Sequence, residues 1–164
     1  MLFRSLETAM LDGEGNRIST RKNSLMMPPP STALSVSSVS VVRNLKDKDA
    51  STDQSDPLLI GSRVVSPTLN PTISKASNSS VSFYVVVYPD KNSSQPPHLS
   101  MEFSRNGQVL GSGSPELGQP DKDGRIQYVA TVPVASLEPG EYTIRFNATQ
   151  AAETAEEVTT FILQ

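Results

Sequence analysis

Apolar and polar residues alternate in several stretches between residues 33 and 164, a period-two pattern that is typical of half-buried β-strands. The most apolar of these stretches is residues 81–88, with the sequence VSFYVVVY. Its odd-numbered residues lie on one face of the strand, and its even-numbered residues, which include Tyr84 and Tyr88, lie on the other. Because both faces are largely apolar, we predict a central strand that is at least partly covered on both sides.

The beginning of this region contains a second alternating stretch, residues 34–41, whose phase changes across Ser37 and Ser38. One extra residue at this point predicts a β-bulge that redirects the second half of the strand. Residues 44–56 are polar and of mixed charge, which predicts a disordered loop. Residues 58–65 form another apolar run, interrupted by a glycine and followed by prolines.

The dipeptide Asn106-Gly107 predicts a two-residue type I′ turn, because both central positions of that turn need a positive φ. The turn pairs Arg105 with Gln108, and further along the hairpin it pairs Phe103 with Leu110. A register slip by one residue would split the apolar set that this pairing brings to one face. That set is Leu99, Met101, Phe103 and Leu110.

Alternation continues in residues 126–134, 142–146 and 158–163. Pro133 predicts a strand end or a sheet edge, because proline cannot donate to a ladder. Residues 148–157 are rich in helix formers but have no apolar face, so we predict a turn there. With about seven strands and no helical stripe, the pattern predicts an all-β, immunoglobulin-like β-sandwich over residues 33–164.

A sandwich of this kind buries the inward side chains of its two facing sheets in one core. The alternation assigns nine residues to that core: Val36, Phe83, Val85, Phe103, Ile126, Tyr128, Tyr142, Ile144 and Phe146.

The N-terminal part of the chain has a different organisation. Residues 5–27 predict a hairpin around a cluster of turn formers at residues 12–16. A lone two-stranded hairpin is marginally stable, so we interpret residues 1–27 as the remnant of a truncated preceding module and the chain as a fragment. Residues 28–32 begin with three prolines and predict a semi-rigid linker.

Composition narrows the chemistry that the chain can perform. It has 164 residues, no Cys, no Trp and a single histidine, His98. A thiol nucleophile, a Cys-rich zinc site and an iron–sulfur cluster are therefore excluded. The 14 basic and 17 acidic residues are scattered along the chain. They form no basic face, so we predict no nucleic-acid binding. The sequence contains no run of about 18 apolar residues, so we predict no membrane insertion. The first ten residues do not form the apolar core of a secretory signal.

Residues 137–142, LEPGEY, are the most informative motif. Pro139 and Gly140 predict a turn between the sheets, and Tyr142 lies just inside the next strand. In immunoglobulin-like sandwiches a tyrosine at this place folds back and its hydroxyl bonds to upstream backbone, which is called a tyrosine corner. We therefore predict a structural role for Tyr142, with contact to a ligand as the alternative.

Six motifs occur in order along the chain: Asp56-Pro57-Leu58, the proline-broken segment 65–71, residues 81–89, the Asn-Gly hairpin, GRIQY at 124–128, and LEPGEY. This series resembles the C-terminal module of bacterial von Willebrand factor type A-related proteins, over residues 34–164. The resemblance implies a secreted protein in which immunoglobulin-like modules follow a type A domain. The type A metal motif, Asp-x-Ser-x-Ser, is absent, so no metal site is carried over.

Two acidic segments resemble calcium loops. Residues 121–124, DKDG, place two carboxylates before a glycine but lack the distal ligand of an EF-hand. A β-turn is the better interpretation. The aspartates at 47, 49, 53 and 56 are diluted by lysines and indicate a polar loop, with calcium binding as the alternative.

His98 is the only candidate general base, and catalysis would need a nucleophile and an orienting acid beside it. Ser94 and Ser100 are near in sequence, but neither lies in a Gly-x-Ser-x-Gly turn. Residues 111–114, GSGS, lack the lysine of a phosphate loop. We therefore predict no enzyme activity and no cofactor.

The remaining candidate site is aromatic. Tyr84 and Tyr88 lie on one face of the same strand about 13 Å apart, and with Tyr128 they form a candidate platform for sugar rings. We predict a non-catalytic module of a secreted or periplasmic protein that makes protein–protein contacts, for example by edge-strand addition, or acts as a spacer. A carbohydrate-binding module that uses the surface tyrosines is the alternative.

Overall fold

The structure is a computed structural model that describes residues 2–27, 31–53 and 55–164. The three linker prolines, residues 28–30, lie outside the described residues. The chain divides into two compact units, Met1–Ser31 and Thr32–Gln164.

The described residues form thirteen β-strands and no helix. The strands are β1 (Leu2–Leu11), β2 (Arg17–Met27), β3 (Ser35–Val36), β4 (Ser40–Asp47), β5 (Leu59–Ile60), β6 (Arg63–Pro67), β7 (Thr72–Ile73), β8 (Ser80–Tyr88), β9 (His98–Arg105), β10 (Gln108–Gly113), β11 (Ile126–Pro133), β12 (Gly140–Gln150) and β13 (Glu153–Leu163). Within the described ranges, no helix has the length and apolar character needed to cross a membrane.

The first unit is an antiparallel hairpin of β1 and β2. Its turn is closed by Asp12, whose side chain accepts hydrogen bonds from the backbone N–H groups of Glu14 and Asn16. These donors, chiefly that of Asn16, hold the pKa of Asp12 below its usual value. The side chains that the structure describes, in residues 7–16 and 18–24, are all exposed. The pairing of β1 with β2 forms the hairpin that the sequence predicts.

The second unit consists of two sheets. One has the strand order β10-β9-β12-β13-β7, and the other has the order β11-β8-β4-β6-β5, with β3 also paired to β8. All pairs are antiparallel except β13 with β7. The predicted all-β, sandwich-type class is confirmed. The strands outnumber the predicted seven, partly because β3, β5 and β7 are two-residue segments that alternation does not reveal.

The main core lies between the two sheets. Phe83 of β8 contacts Phe161 of β13 with a ring-centroid distance of 5.3 Å, and Phe103 stacks on Tyr142 at 5.2 Å. All nine predicted core residues belong to this cluster, with Val36 and Tyr128 partly buried. Aromatic pairs of this geometry add to the free energy gained from burying their area.

A second apolar cluster covers the opposite face of β8. Its buried members are Val42, Val65, Tyr84 and Val86, and the partly buried Leu45, Leu58, Ile60 and Val129 pack against them. Both faces of β8 are therefore covered, as its nearly continuous apolar sequence predicts.

The predicted bulge lies between β3 and β4. Val36 pairs with Val87 and Val41 pairs with Phe83, so one extra residue is present on the β3–β4 side. Ser37 donates its N–H to the carbonyl of Val86 at 2.8 Å, and its Oγ accepts the N–H of Val86 at 2.9 Å. A hydroxyl thus replaces the backbone acceptor that the bulge removes from the ladder.

The predicted Asn-Gly turn is confirmed, but the register beyond it is not. Asn106 and Gly107 have φ values of 51° and 78°, and Arg105 pairs with Gln108. The strands then slip between Val109 and Gly111, so Phe103 pairs with Gly111. The predicted pairing of Phe103 with Leu110 is therefore wrong. The bulge leaves Leu110 46% exposed instead of buried in the core.

The turn predicted over residues 148–157 is also wrong in extent. Strands β12 and β13 continue to Gln150 and from Glu153, and Ala151 makes the connection with a φ of 54°. Ala148 and Gln150 are buried, and this burial overrides the helix propensity of the segment.

The disordered loop predicted over residues 44–56 is wrong for its first four residues. Residues 44–47 belong to β4 and pair with β6. Beyond them, the side chains of Asp49 and Asp53 accept hydrogen bonds from the backbone N–H groups of Ser51 and Ser55. Short aspartate-capped turns therefore organise this loop.

We expect Ser37→Ala to destabilise the second unit by about 1–3 kcal/mol, because the N–H of Val86 loses its acceptor in a part-buried place. Urea denaturation followed by circular dichroism measures the change. The exposed neighbour gives the control, and Ser38→Ala should change the stability by less than about 0.5 kcal/mol. Equal effects of the two substitutions would contradict the role of the Ser37 hydroxyl.

Candidate functional site: the open side of the sandwich

The crossing from β11 to β12 is fixed by Tyr142. The side chain is 1% exposed, and its hydroxyl donates to the carbonyl of Glu138 at 2.7 Å. Pro139 and Gly140 lie between the two bonded residues and turn the chain into β12. This is the upstream backbone bond that defines a tyrosine corner.

Arg105 joins this corner to the Asn-Gly hairpin. Its guanidinium donates to the carboxylate of Glu138 and to the carbonyl of Pro139, both at 2.9 Å, and lies 5.4 Å from the centroid of the Tyr142 ring. The hydrogen bond to Glu138 raises the pKa of Arg105. The sequence analysis placed Arg105 beside the Asn-Gly turn but did not predict its contacts with the corner. The alternation of Met101, Phe103 and Arg105 on one face of the strand was the available signal.

A groove opens between the two sheets beside this corner. It has a volume of about 260 Å³ and lies between the edge strands β10 and β11. The residues around it carry no charge, and the apolar ones are Met101, Phe103, Leu110, Val132, Pro133, Leu137 and Ile144. The main core thus reaches solvent at this side of the sandwich.

The strands on both sides of the groove lack partners on their outer edges. Among the described residues, β10 pairs only with β9 and β11 only with β8. Residues 106–114 and 126–137 contain no charged side chain. Edge strands are usually protected by charges, prolines or bulges. Here β10 has the bulge at Leu110, whereas β11 has an unbroken register and a proline only at its last residue.

The size of the groove indicates what it can hold. Pockets that bind drug-sized ligands measure about 300–1,000 Å³ and include a few convergent polar groups. This groove is smaller and mostly apolar, so it has room for one or two apolar side chains.

The tyrosine platform predicted from the sequence is not formed. Tyr84 is only 7% exposed, because the segment around Leu58 covers its ring. Its hydroxyl lies 3.4 Å from the carbonyl of Pro57, and burial raises the pKa of its phenol. Tyr128 points into the main core, and Tyr88 remains the exposed member at 40%. The prediction of a sugar-stacking surface from Tyr84 and Tyr88 is therefore wrong.

The two acidic segments are used within turns. Asp121 accepts the N–H groups of Asp123 and Arg125, and the guanidinium of Arg125 pairs with Asp121 at 2.9 Å and with Asp123 at 3.0 Å. Burial raises the pKa of Asp121, but the hydrogen bonds from Arg125 outweigh it and the pKa is lowered. In the described part of the chain, no group of three or more His, Cys, Asp or Glu side chains is placed to hold a metal ion.

His98 is exposed at the first position of β9. Ser100, two residues further along the strand, donates its hydroxyl to the carbonyl of Asn147 at 3.3 Å. This hydroxyl is therefore directed at backbone.

Gln150 is a buried polar residue that the sequence did not single out. It is 3% exposed, accepts the N–H of Asp90 at 2.7 Å and donates to the carbonyl of Gln95 at 2.7 Å. One amide thus holds both ends of the connection between β8 and β9.

No protein-family model matches this chain, and a search of curated proteins finds no significant match.

We expect Tyr142→Phe to destabilise the second unit by about 0.5–1.5 kcal/mol, because it removes the hydrogen bond to Glu138 and leaves the ring in place. The exposed Tyr88 provides a matched control, and Tyr88→Phe should leave the urea midpoint almost unchanged. A midpoint for Tyr142→Phe that equals the wild-type value would contradict the importance of the corner.

Gly140→Ala should destabilise the unit by about 1–3 kcal/mol, because an L-residue is strained at the φ of 150° found there. A Cβ would also lie 2.9 Å from Nη2 of Arg105. Gly118→Ala is the control, since a Cβ there meets no atom within 4 Å. Thermal denaturation of both variants distinguishes local strain from a general effect of replacing glycine.

Proposed function

We propose that residues 33–164 form a non-catalytic immunoglobulin-like module that makes protein–protein contacts through the open side of the sandwich. The observation that carries the proposal is the pair of uncharged edge strands, β10 and β11, on both sides of an apolar groove. The module belongs to a secreted or cell-surface protein related to the bacterial von Willebrand factor type A proteins. In that setting it also spaces its neighbours.

The strand order supports the immunoglobulin-like assignment. The neighbours β4, β8 and β11 correspond to strands A, B and E of that fold, and β10, β9, β12 and β13 correspond to C′, C, F and G. Tyr142 stands at the start of the strand that corresponds to F. The absence of Cys and Trp distinguishes this chain from antibody domains, which have an inter-sheet disulfide and a buried tryptophan.

The chemistry of a sheet edge supports an extended peptide as the partner. The free side of an edge strand presents N–H and C=O groups at regular spacing, and an added strand pairs with them. Water also satisfies these groups, so pairing alone adds little free energy. The groove supplies the second requirement, since it buries an apolar side chain of the added strand.

A titration with a short peptide tests this function. We expect a capped peptide of alternating Val and Thr to shift the amide resonances of β11 and the methyl resonances of Val132 in NMR spectra. Leu110→Asp places a charge in the groove and should weaken binding at least about tenfold, which corresponds to about 1.4 kcal/mol.

Val158→Asp is the matched control for this titration. Val158 is 43% exposed, close to the 46% of Leu110, but it does not line the groove. Equal weakening by both substitutions, or no shift in β11 at millimolar peptide, would contradict the proposed function. Hydrolysis of a test substrate that is lost in His98→Ala would overturn the non-catalytic assignment.

A further inference from the structure

We infer that the β11 edge pairs with the β11 edge of a second copy of this chain, antiparallel and about a two-fold axis at Val129. The inference rests on the proposed function, because it takes the open side as a contact surface and names its partner.

Among the described edge strands of the second unit, β11 is the one suited to regular pairing. Strands β5 and β7 have two residues each, and β10 is interrupted by its bulge. The part of β13 that β7 leaves unpaired carries Glu153, Glu156 and Glu157. Strand β11 has eight residues in continuous register with β8, from Ile126 opposite Val87 to Pro133 opposite Ser80. Its outer edge is therefore a straight template for another strand.

The sequence of β11 is complementary to itself when it is reversed about Val129. Directly opposite residues of an antiparallel pair lie on the same face, so each residue meets the one equally far from the axis. The pairs are Ile126 with Val132, Gln127 with Thr131, Tyr128 with Ala130, and Val129 with its own copy. Apolar residues meet apolar ones, the polar pair meets on the outward face, and the largest side chain faces the smallest.

The lack of charge in residues 126–132 and the position of Pro133 favour this register. A strand that pairs with itself brings any charge near its own copy, and like charges in a ladder destabilise it. Residues 126–132 have no charge, and the next residue, Arg125, is engaged by Asp121 and Asp123. With the axis at Val129, Pro133 falls opposite Arg125 and both lie outside the ladder. An axis at any other residue shortens the ladder or brings one of them into it.

The pairing also covers the groove. Thr131 and Val132 line the groove of each copy, and the partner strand runs beside them. The exposed Thr131 and the half-buried Val129 and Val132 are then shielded from water by the second copy. The interface is isologous and closes on itself, so it gives a dimer rather than a fibre.

Cysteine scanning of the whole chain tests the register without interference, because the sequence contains no Cys. In Val129→Cys, the two sulfur-bearing residues are opposite each other at a Cα distance of about 4.5–5.5 Å. That distance lies within the range that a disulfide spans. We expect rapid formation of a covalent dimer under mild oxidation.

Thr131→Cys is the matched control on the same edge. Residue 131 of one copy lies opposite Gln127 of the other, so the two cysteines are about 13 Å apart along the strand and should not crosslink. Faster crosslinking through residue 131 than through residue 129 would overturn the register.

Charge substitution tests the association itself. Sedimentation of the wild-type chain from micromolar to near-millimolar concentration should show a reversible monomer–dimer equilibrium. Val129→Lys and Val129→Glu should each be monomeric, and mixing the two should restore the dimer. Restoration excludes misfolding as the cause of the loss.

A wild-type chain that stays monomeric at near-millimolar concentration overturns the inference, as does crosslinking of Val129→Cys no faster than that of Val158→Cys. If such a monomer still binds the Val/Thr peptide at β11, the proposed function stands and the partner is another protein. If it binds no peptide either, both proposals fail.

Discussion

The sandwich depends on the burial of β8 on both of its faces. Phe83, Val85 and Val87 are inaccessible to water and face the second sheet, while Tyr84 and Val86 lie beneath the second cluster. A strand without water on either face must have its backbone groups paired by neighbouring strands. Strand β11 on one side, and β3 with β4 on the other, supply those partners. The Ser37 hydroxyl completes the ladder where the bulge interrupts it.

The contacts of the loop between β11 and β12 shape the open side of the sandwich. Arg105 ends β9 and binds the loop that carries the chain from β11 into β12, and Tyr142 binds the same loop from below. These polar contacts join the end of β9 to the loop that follows β11. The groove lies between β10 and β11, one strand from each sheet, near this corner. Phe103 and Ile144 also line it.

The same arrangement explains why apolar surface remains exposed here. On the other face of β8, Leu45, Leu58, Ile60 and Val65 cover the strand, so Tyr84 is removed from solvent. Among the described residues, no further strand pairs with the outer edge of β10 or of β11. Apolar area left in water favours association with another apolar surface. The edge of β11 is uncharged, and its backbone groups pair with a strand that runs alongside it. Such an association therefore has a defined orientation.

The sequence by itself determined the β-class, the main core, the Ser37 bulge and the Asn-Gly turn. Each of these follows from side chains that alternate every two residues or from local φ requirements. It did not determine that Leu110 remains exposed at the groove, that Tyr84 is covered or that Arg105 and Gln150 hold loops together. These features depend on contacts between residues far apart in the chain, such as Arg105 with Glu138 and Gln150 with Asp90. The tertiary structure alone decided them, because local periodicity specifies which face a side chain occupies but not what packs against that face.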